Sequence, residues 1–206
     1  MSEPDTYSVP VFPLGLVLFP QALLPLRIFE PRYLAMISHC LKRQEGFVVS
    51  LIRDGREVGP AAHYHDIGTL VRIVDWDQGA DGMLHVTVRG TQRVQVLDHQ
   101  VREDQLILGR ALDLEREPPT GIAARHAALV QVLRSSIERF NLQLEDESRL
   151  EDATWVGFRL AELLPLPNAR KQWLLELTNP TLRLAALQED VDRLFEGNSG
   201  PPGGLQ

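Results

Sequence analysis

Glu115-Arg116-Glu117-Pro118-Pro119-Thr120-Gly121-Ile122 is the stretch where the chain changes character. Two consecutive prolines cannot continue a helix or a central strand, so a boundary falls here. Upstream, apolar residues recur mostly every second position. Downstream they recur at helical spacing. Strands on one side and helices on the other describe an α+β chain. The expected organisation is a β domain over 1–117, a helical domain over 122–196, and a Gly/Pro-rich disordered tail over 197–206.

Outward toward the N-terminus, Leu106 to Leu114 reads as a strand, preceded by Arg93 to Asp98 and Met83 to Arg89, with Gly90 breaking the run between those two. Ile67 to Trp76 pairs back across the turn-rich loop 77–82, and Phe47 to Ile52 is a buried strand by composition. Pro31 opens one inserted helix, because proline is tolerated at the first helical position. Tyr33, Ile37 and Leu41, with Leu34 beside them, form its apolar face, and Gln44-Glu45-Gly46 ends it. Val9 to Leu18 and Leu24 to Phe29 are extended. Short strands with one helix among them predict a small, mostly antiparallel barrel or folded sheet.

Outward toward the C-terminus, Ile122 to Phe140 carries a stripe of Leu129, Val132, Leu133, Ile137 and Phe140. Ala153 to Leu164 follows and stops at Pro165-Leu166-Pro167. Asn168 is read as the cap of a third helix through Leu177, and Asn179-Pro180 as the start of a fourth ending at Gly197. Four helices on short connections predict a bundle or a helical layer. In the last of them Leu182, Leu184, Ala185, Leu187 and Val191 exceed what one face buries, which points toward a homodimer.

The 206 residues carry 21 Lys+Arg against 28 Asp+Glu, a net charge of −7. That sign disfavours gripping nucleic acid through its phosphates. Cys40 stands alone, so the sequence provides neither an intrachain disulfide nor a cysteine-rich zinc site, as fits a reducing compartment. No segment reaches the ~20 apolar residues of a membrane span. The apolar start has acidic flanks and repeated prolines instead of a signal-peptide pattern, so a cytoplasmic location is expected.

Catalytic motifs are missing from the sequence. Neither Lys42 nor Lys171, the two lysines, follows a glycine, so there is no P-loop. Both lie among polar neighbours on predicted helices, where a lysine keeps its ordinary protonation and makes a poor Ser–Lys dyad. Cys40 and His39 are adjacent on a helix and point apart. His63 and His65 share a face of an extended segment, but two ligands do not complete a metal site. Asp75 and Asp77 flank Trp76 and read as solvated turn residues. The sequence assigns no catalytic, cofactor-binding or metal-ligating residue. It leaves the segment Phe19 to Tyr33, with Phe19, Leu23, Leu24, Leu26, Ile28, Phe29 and Tyr33, as mostly core whose exposed part would suit polypeptide.

Pro10-Val11-Phe12-Pro13-Leu14, Val17-Leu18-Phe19-Pro20 and Leu24-Pro25-Leu26-Arg27-Ile28-Phe29-Glu30-Pro31-Arg32-Tyr33 together form a distinctive run. Gly68-Thr69-Leu70-Val71-Arg72-Ile73, Val86-Thr87-Val88-Arg89-Gly90-Thr91-Gln92-Arg93, Leu160-Ala161-Glu162-Leu163-Leu164-Pro165-Leu166 and Lys171-Gln172-Trp173-Leu174-Leu175-Glu176 extend it. Over residues 9–196 the chain resembles the N-terminal domain of Lon-type ATP-dependent proteases, in the form found as small stand-alone bacterial proteins. The resemblance implies a PUA-like β-barrel followed by a helical domain. It also implies recognition of polypeptide substrates. The family's ATPase and Ser–Lys peptidase domains lie downstream, and on this reading the chain ends before either would begin.

The expectation is therefore a non-enzymatic module that binds unfolded or client polypeptides, with a protease or chaperone as partner. An RNA-binding PUA-like protein is the alternative, and it would need a basic stripe from Arg53, Arg56, Arg72, Arg89 and Arg93. An enzyme of small molecules with a site between the domains comes last.

Overall fold

The computed structural model describes residues 5–79, 82–141 and 147–198. Most of the tail expected to be disordered, 199–206, lies outside them. The described residues form two compact units, one from within 1–116 together with 166–176, the other from within 117–165 together with 177–198.

The first unit is built on a seven-stranded, mostly antiparallel sheet. Its strands are β1 (Thr6–Leu14), β2 (Leu23–Ile28), β3 (Phe47–Asp54), β4 (His63–Tyr64), β5 (Ile67–Gln78), β6 (Leu84–Val101) and β7 (Ile107–Asp113). The order runs β1-β7-β6-β5-β3-β4, and a parallel β1–β3 pairing returns the path to β1. Among the described residues β2 pairs only with β6. The main core gathers Phe12, Leu18, Ile28, Phe47, Val71 and Val88 with Tyr33, Met36, Ile37 and Cys40 of helix α1 (Pro31–Arg43).

Gly90 does not break a strand. β6 runs unbroken through it for 18 residues. A Cβ there would sit 2.4 Å from the Phe19 carbonyl oxygen, so only glycine lets the chain before β2 cross over β6. Gly90 N–H donates to the Ala22 carbonyl at 2.9 Å, and the Gln21 N–H donates to Gly90 at 2.7 Å. The glycine marks a backbone crossing.

Helix α4 (Asn168–Glu176) belongs to this first unit, although it follows two helices of the other unit in sequence. The Gln172 amide donates to the Ile67 carbonyl at 2.9 Å, and buried Arg93 donates to the Leu175 carbonyl at 2.8 Å. Asn168 does not cap α4. Its amide nitrogen donates to the Gly15 carbonyl at 2.6 Å, while the Pro167 carbonyl accepts from Arg170 and Lys171.

The second unit contains α2 (Ala127–Phe140), α3 (Ala153–Leu163) and α5 (Pro180–Asn198). Leu129, Leu133, Trp155, Val156, Leu160, Leu184 and Leu187 are buried in it. The expected helix from Ile122 begins instead as a 3-10 turn, Ala124–His126. Asp152 caps α3 through the Thr154 N–H, and Asn179 caps α5 through the N–H groups of Thr181 and Leu182. Leu184, Leu187 and Val191 face inward, while Leu182 is exposed. Among the described residues no helix is long and apolar enough to cross a membrane.

Candidate functional site

Of the apolar segment singled out in the sequence, Phe19, Ile28 and Tyr33 are core, Leu24 and Leu26 pack partly against it, and Leu23 and Phe29 are exposed. Phe29 is 56% exposed at the junction between β2 and α1. That junction is held firmly. Buried Arg32 pairs with Glu30 at 3.0 Å, donates to the Gln105 carbonyl at 2.9 Å, and lies 4.5 Å from the centre of the Tyr33 ring. Tyr33 stacks on Phe12 at 3.9 Å. Burial is the main cause that pushes the Tyr33 hydroxyl up to about 12, so it stays neutral.

Phe29 lines an apolar groove of about 380 Å³ with Ile28, Leu34, Trp76, Gln78, Met83 and Leu84. Phe29 also lines a smaller hollow of about 100 Å³, with Leu26, Tyr33 and Val58 among its other walls. The sheet register explains the groove. Leu26, Val86 and Trp76 stand side by side across β2, β6 and β5, and Ile28, Leu84 and Gln78 form the next row. Side chains on one face of a sheet share their orientation across the strands. Val86 is buried, so Trp76 turns toward the same face as the core, yet it is 57% exposed because the core stops short of it. Large apolar side chains gathered around a solvent-filled hollow are what a soluble chain covers unless something docks there.

Leu34, Trp76, Met83 and Leu84 stand outside the apolar run that marks Phe29 in the sequence. The helical spacing puts Leu34 on the apolar face of α1, but Met36 and Cys40 take that place and Leu34 is 37% exposed. A fit to the 3.6-residue period that centres the stripe between Tyr33 and Ile37 leaves Leu34 at its edge. Trp76, read as a strand end, carried one signal: an aromatic between two aspartates is a poor core residue.

A larger hollow of about 560 Å³ is lined by Gly15, Arg53, Arg56, Glu57, His65 and Asn168, among others. Its polar groups span it. Glu57 accepts from the Gly15 N–H at 2.6 Å, Asn168 donates to the Gly15 carbonyl, and His65 lies 3.8 Å from Glu176. This closes on itself as a structural brace.

The other sequence candidates do not assemble. His63 is exposed at the end of β4, and no cluster of three or more metal-ligating side chains exists among the described residues. Asp75 and Asp77 are exposed on β5, inside a strand and not in a turn. Arg93 is buried against α4, so the five arginines do not form one surface stripe. Lys42 is exposed and Lys171 half-buried. Cys40 is buried with its thiol pushed up to about 11, chiefly by burial.

Comparison with known proteins places this geometry. Residues 8–193 match the family model of the ATP-dependent protease La (LON) substrate-binding domain. The crystal structure of a Lon N-terminal domain protein from Xanthomonas campestris is 37% identical, with a TM-score of 0.76, covering 89% of this chain and 98% of that one. The N-terminal domain of the Mycobacterium avium complex Lon protease, 19% identical with a TM-score of 0.64, shares the fold. Lon protease of Xanthomonas oryzae pv. oryzae is 28% identical over 93% of this chain but only 23% of its own length. Lon protease 2 of Herpetosiphon aurantiacus is matched over 25% of its length, so the chain spans about a quarter of these relatives. With its strand and helix content and nearly its whole length matched, the chain belongs to the LON substrate-binding domain family.

Proposed function

We propose that this chain is a non-catalytic module that binds unfolded or client polypeptides, acting as an adaptor or substrate selector in cytoplasmic protein quality control. The observation that carries the reading is the groove of Phe29, Leu34, Trp76, Met83 and Leu84, apolar and open beside the junction that Arg32 and the Tyr33–Phe12 stack hold. Recurrent polypeptide recognition uses such grooves for apolar side chains. The family supports the same class of ligand, because its description names a substrate-binding domain. The ring of pairings through β1, β7, β6, β5 and β3 supports a PUA-like barrel in the first unit. A protease or chaperone as downstream partner, and a homodimer, belong to the same proposal.

The test uses the exposed tryptophan. Trp155 is buried and Trp173 is 42% exposed, so a Trp173→Phe variant leaves Trp76 as the main solvent-sensitive reporter. Titration with a permanently unfolded polypeptide should shift its emission to the blue and saturate. A folded control should leave it unchanged. Titration without a shift, together with no retention of the unfolded polypeptide on immobilised protein, overturns the reading.

A further inference from the structure

The groove lies against an open strand edge. β5 pairs with β3 only from Thr69 to Val71, while its pairing with β6 continues to Gln78. Among the described residues, then, no strand covers the outer edge of β5 beyond Arg72. The hairpin closes with the Gly79 N–H donating to the Met83 carbonyl at 2.9 Å. Hydrogen-bonded and non-bonded pairs alternate in an antiparallel ladder. Counting back from Gly79, the backbone groups of Asp77 and Asp75 face β6, and those of Trp76 and Gln78 face the open edge. One local contact agrees: the Trp76 N–H donates to the carboxylate of its own neighbour Asp75 at 2.9 Å. That carboxylate occupies the place where the carbonyl of an added strand would sit.

Building on the polypeptide-binding reading above, we propose that the outer edge of β5, from Asp75 to Gln78, binds an extended segment of alternating apolar and basic residues by adding it as a strand. Its backbone carbonyl replaces the Asp75 carboxylate on the Trp76 N–H. Alternation then sorts its side chains. One set falls beside Trp76, on the groove side with Leu34 and Met83. The other set falls beside Asp75 and Asp77, whose carboxylates are exposed on the opposite face. The nearest cross-strand neighbours of these two on β6 are Thr87 and His85, and Arg27 of β2 lies one strand further away. Residues opposite each other in non-bonded pairs have the closest side chains, so Lys or Arg there faces a carboxylate directly. The bulge at Val74 limits the added strand to the distal end of β5, beside the groove.

Three synthetic peptides of equal length separate the outcomes, with affinity for the full chain read by anisotropy of a labelled end. One alternates Val and Lys, one alternates Val and Glu, and one is the Val/Lys peptide with two central prolines, which cannot donate to the Trp76 edge. The first should bind, and the other two at least about tenfold more weakly. Asp75→Lys/Asp77→Lys, both exposed positions, should reverse the preference toward the Val/Glu peptide. Equal binding of the proline peptide overturns strand addition, and equal binding of Val/Glu overturns the selection of basic residues. If no peptide binds while an unfolded polypeptide still does, the edge proposal falls and the groove reading stands. If neither binds, both fall.

Discussion

Arg183 and Glu117 form a two-point ion pair inside the second unit, with 0% and 3% of their side chains exposed. One guanidinium nitrogen donates to the Glu117 carboxylate at 2.8 Å, and another also donates to the Leu177 carbonyl. The Phe158 ring lies 4.0 Å from the guanidinium carbon, and Gly157 leaves room for the stem, since a Cβ there would meet Arg183 Cδ at 3.1 Å. A buried charge with all its partners is neutral to modestly helpful, but one stripped of its partner is costly. Arg183→Met should lower stability by about 3–5 kcal/mol, and Glu117→Gln/Arg183→Met should recover part of it. Urea denaturation followed by circular dichroism measures both. A loss under about 1 kcal/mol for the single variant contradicts the pairing.

Gly90 should be nearly irreplaceable. The atom that its missing Cβ would strike is the backbone oxygen of Phe19, which cannot rotate away. Gly90→Ala should cost about 1–3 kcal/mol, as overpacking does, and should shift the chain leading into β2. A urea midpoint equal to that of the parent chain would contradict the crossing described here.

The Cys40 thiol should be silent in the folded protein. It is buried, and burial holds its pKa at about 11, so thiolate is scarce at neutral pH. Iodoacetamide at about pH 8 should leave native protein unmodified and label it fully in denaturant. Rapid labelling of the native chain would contradict the burial.

His126 should make the second unit sensitive to acid. It is buried, and its pKa is lowered from 6.5, first by burial and then by Arg125, whose Nε donates to its Nε2 at 3.1 Å. The unfolded chain therefore takes up the proton first as pH falls. The stability that neutral His126 contributes is fully present above about pH 6.5 and lost progressively below it. Denaturation midpoints taken between about pH 7.5 and about pH 5.5 should fall in the parent, and less steeply in His126→Gln. Equal slopes would show that other groups carry the acid sensitivity.

The starts of α1 and α5 and the change of character at Pro118-Pro119 were legible because they depend on local chemistry. Pro31 and Asn179 act on the residues next to them, and the structure uses both as read. What escaped depends on residues far away in sequence. Gly90 looks like a break unless Phe19 is known to cross it. Asn168 looks like a cap unless Gly15 is known to accept its amide. The candidate groove was half legible for the same reason. Phe29 stood out in an apolar run, but Trp76 and Leu34 become neighbours only through strand register and the turn of α1.

On the proposed function, polypeptide docks at the groove around Phe29 and Trp76. Fluorescence anisotropy of a labelled unfolded polypeptide, titrated with the parent chain and with Phe29→Ser/Trp76→Ser, tests it most directly. Both positions are more than half exposed, so the double variant should fold with nearly parental stability. The parent should bind saturably and the variant should lose at least about tenfold in affinity, the weight expected of buried aromatic anchors. Equal affinity for the two proteins would contradict it.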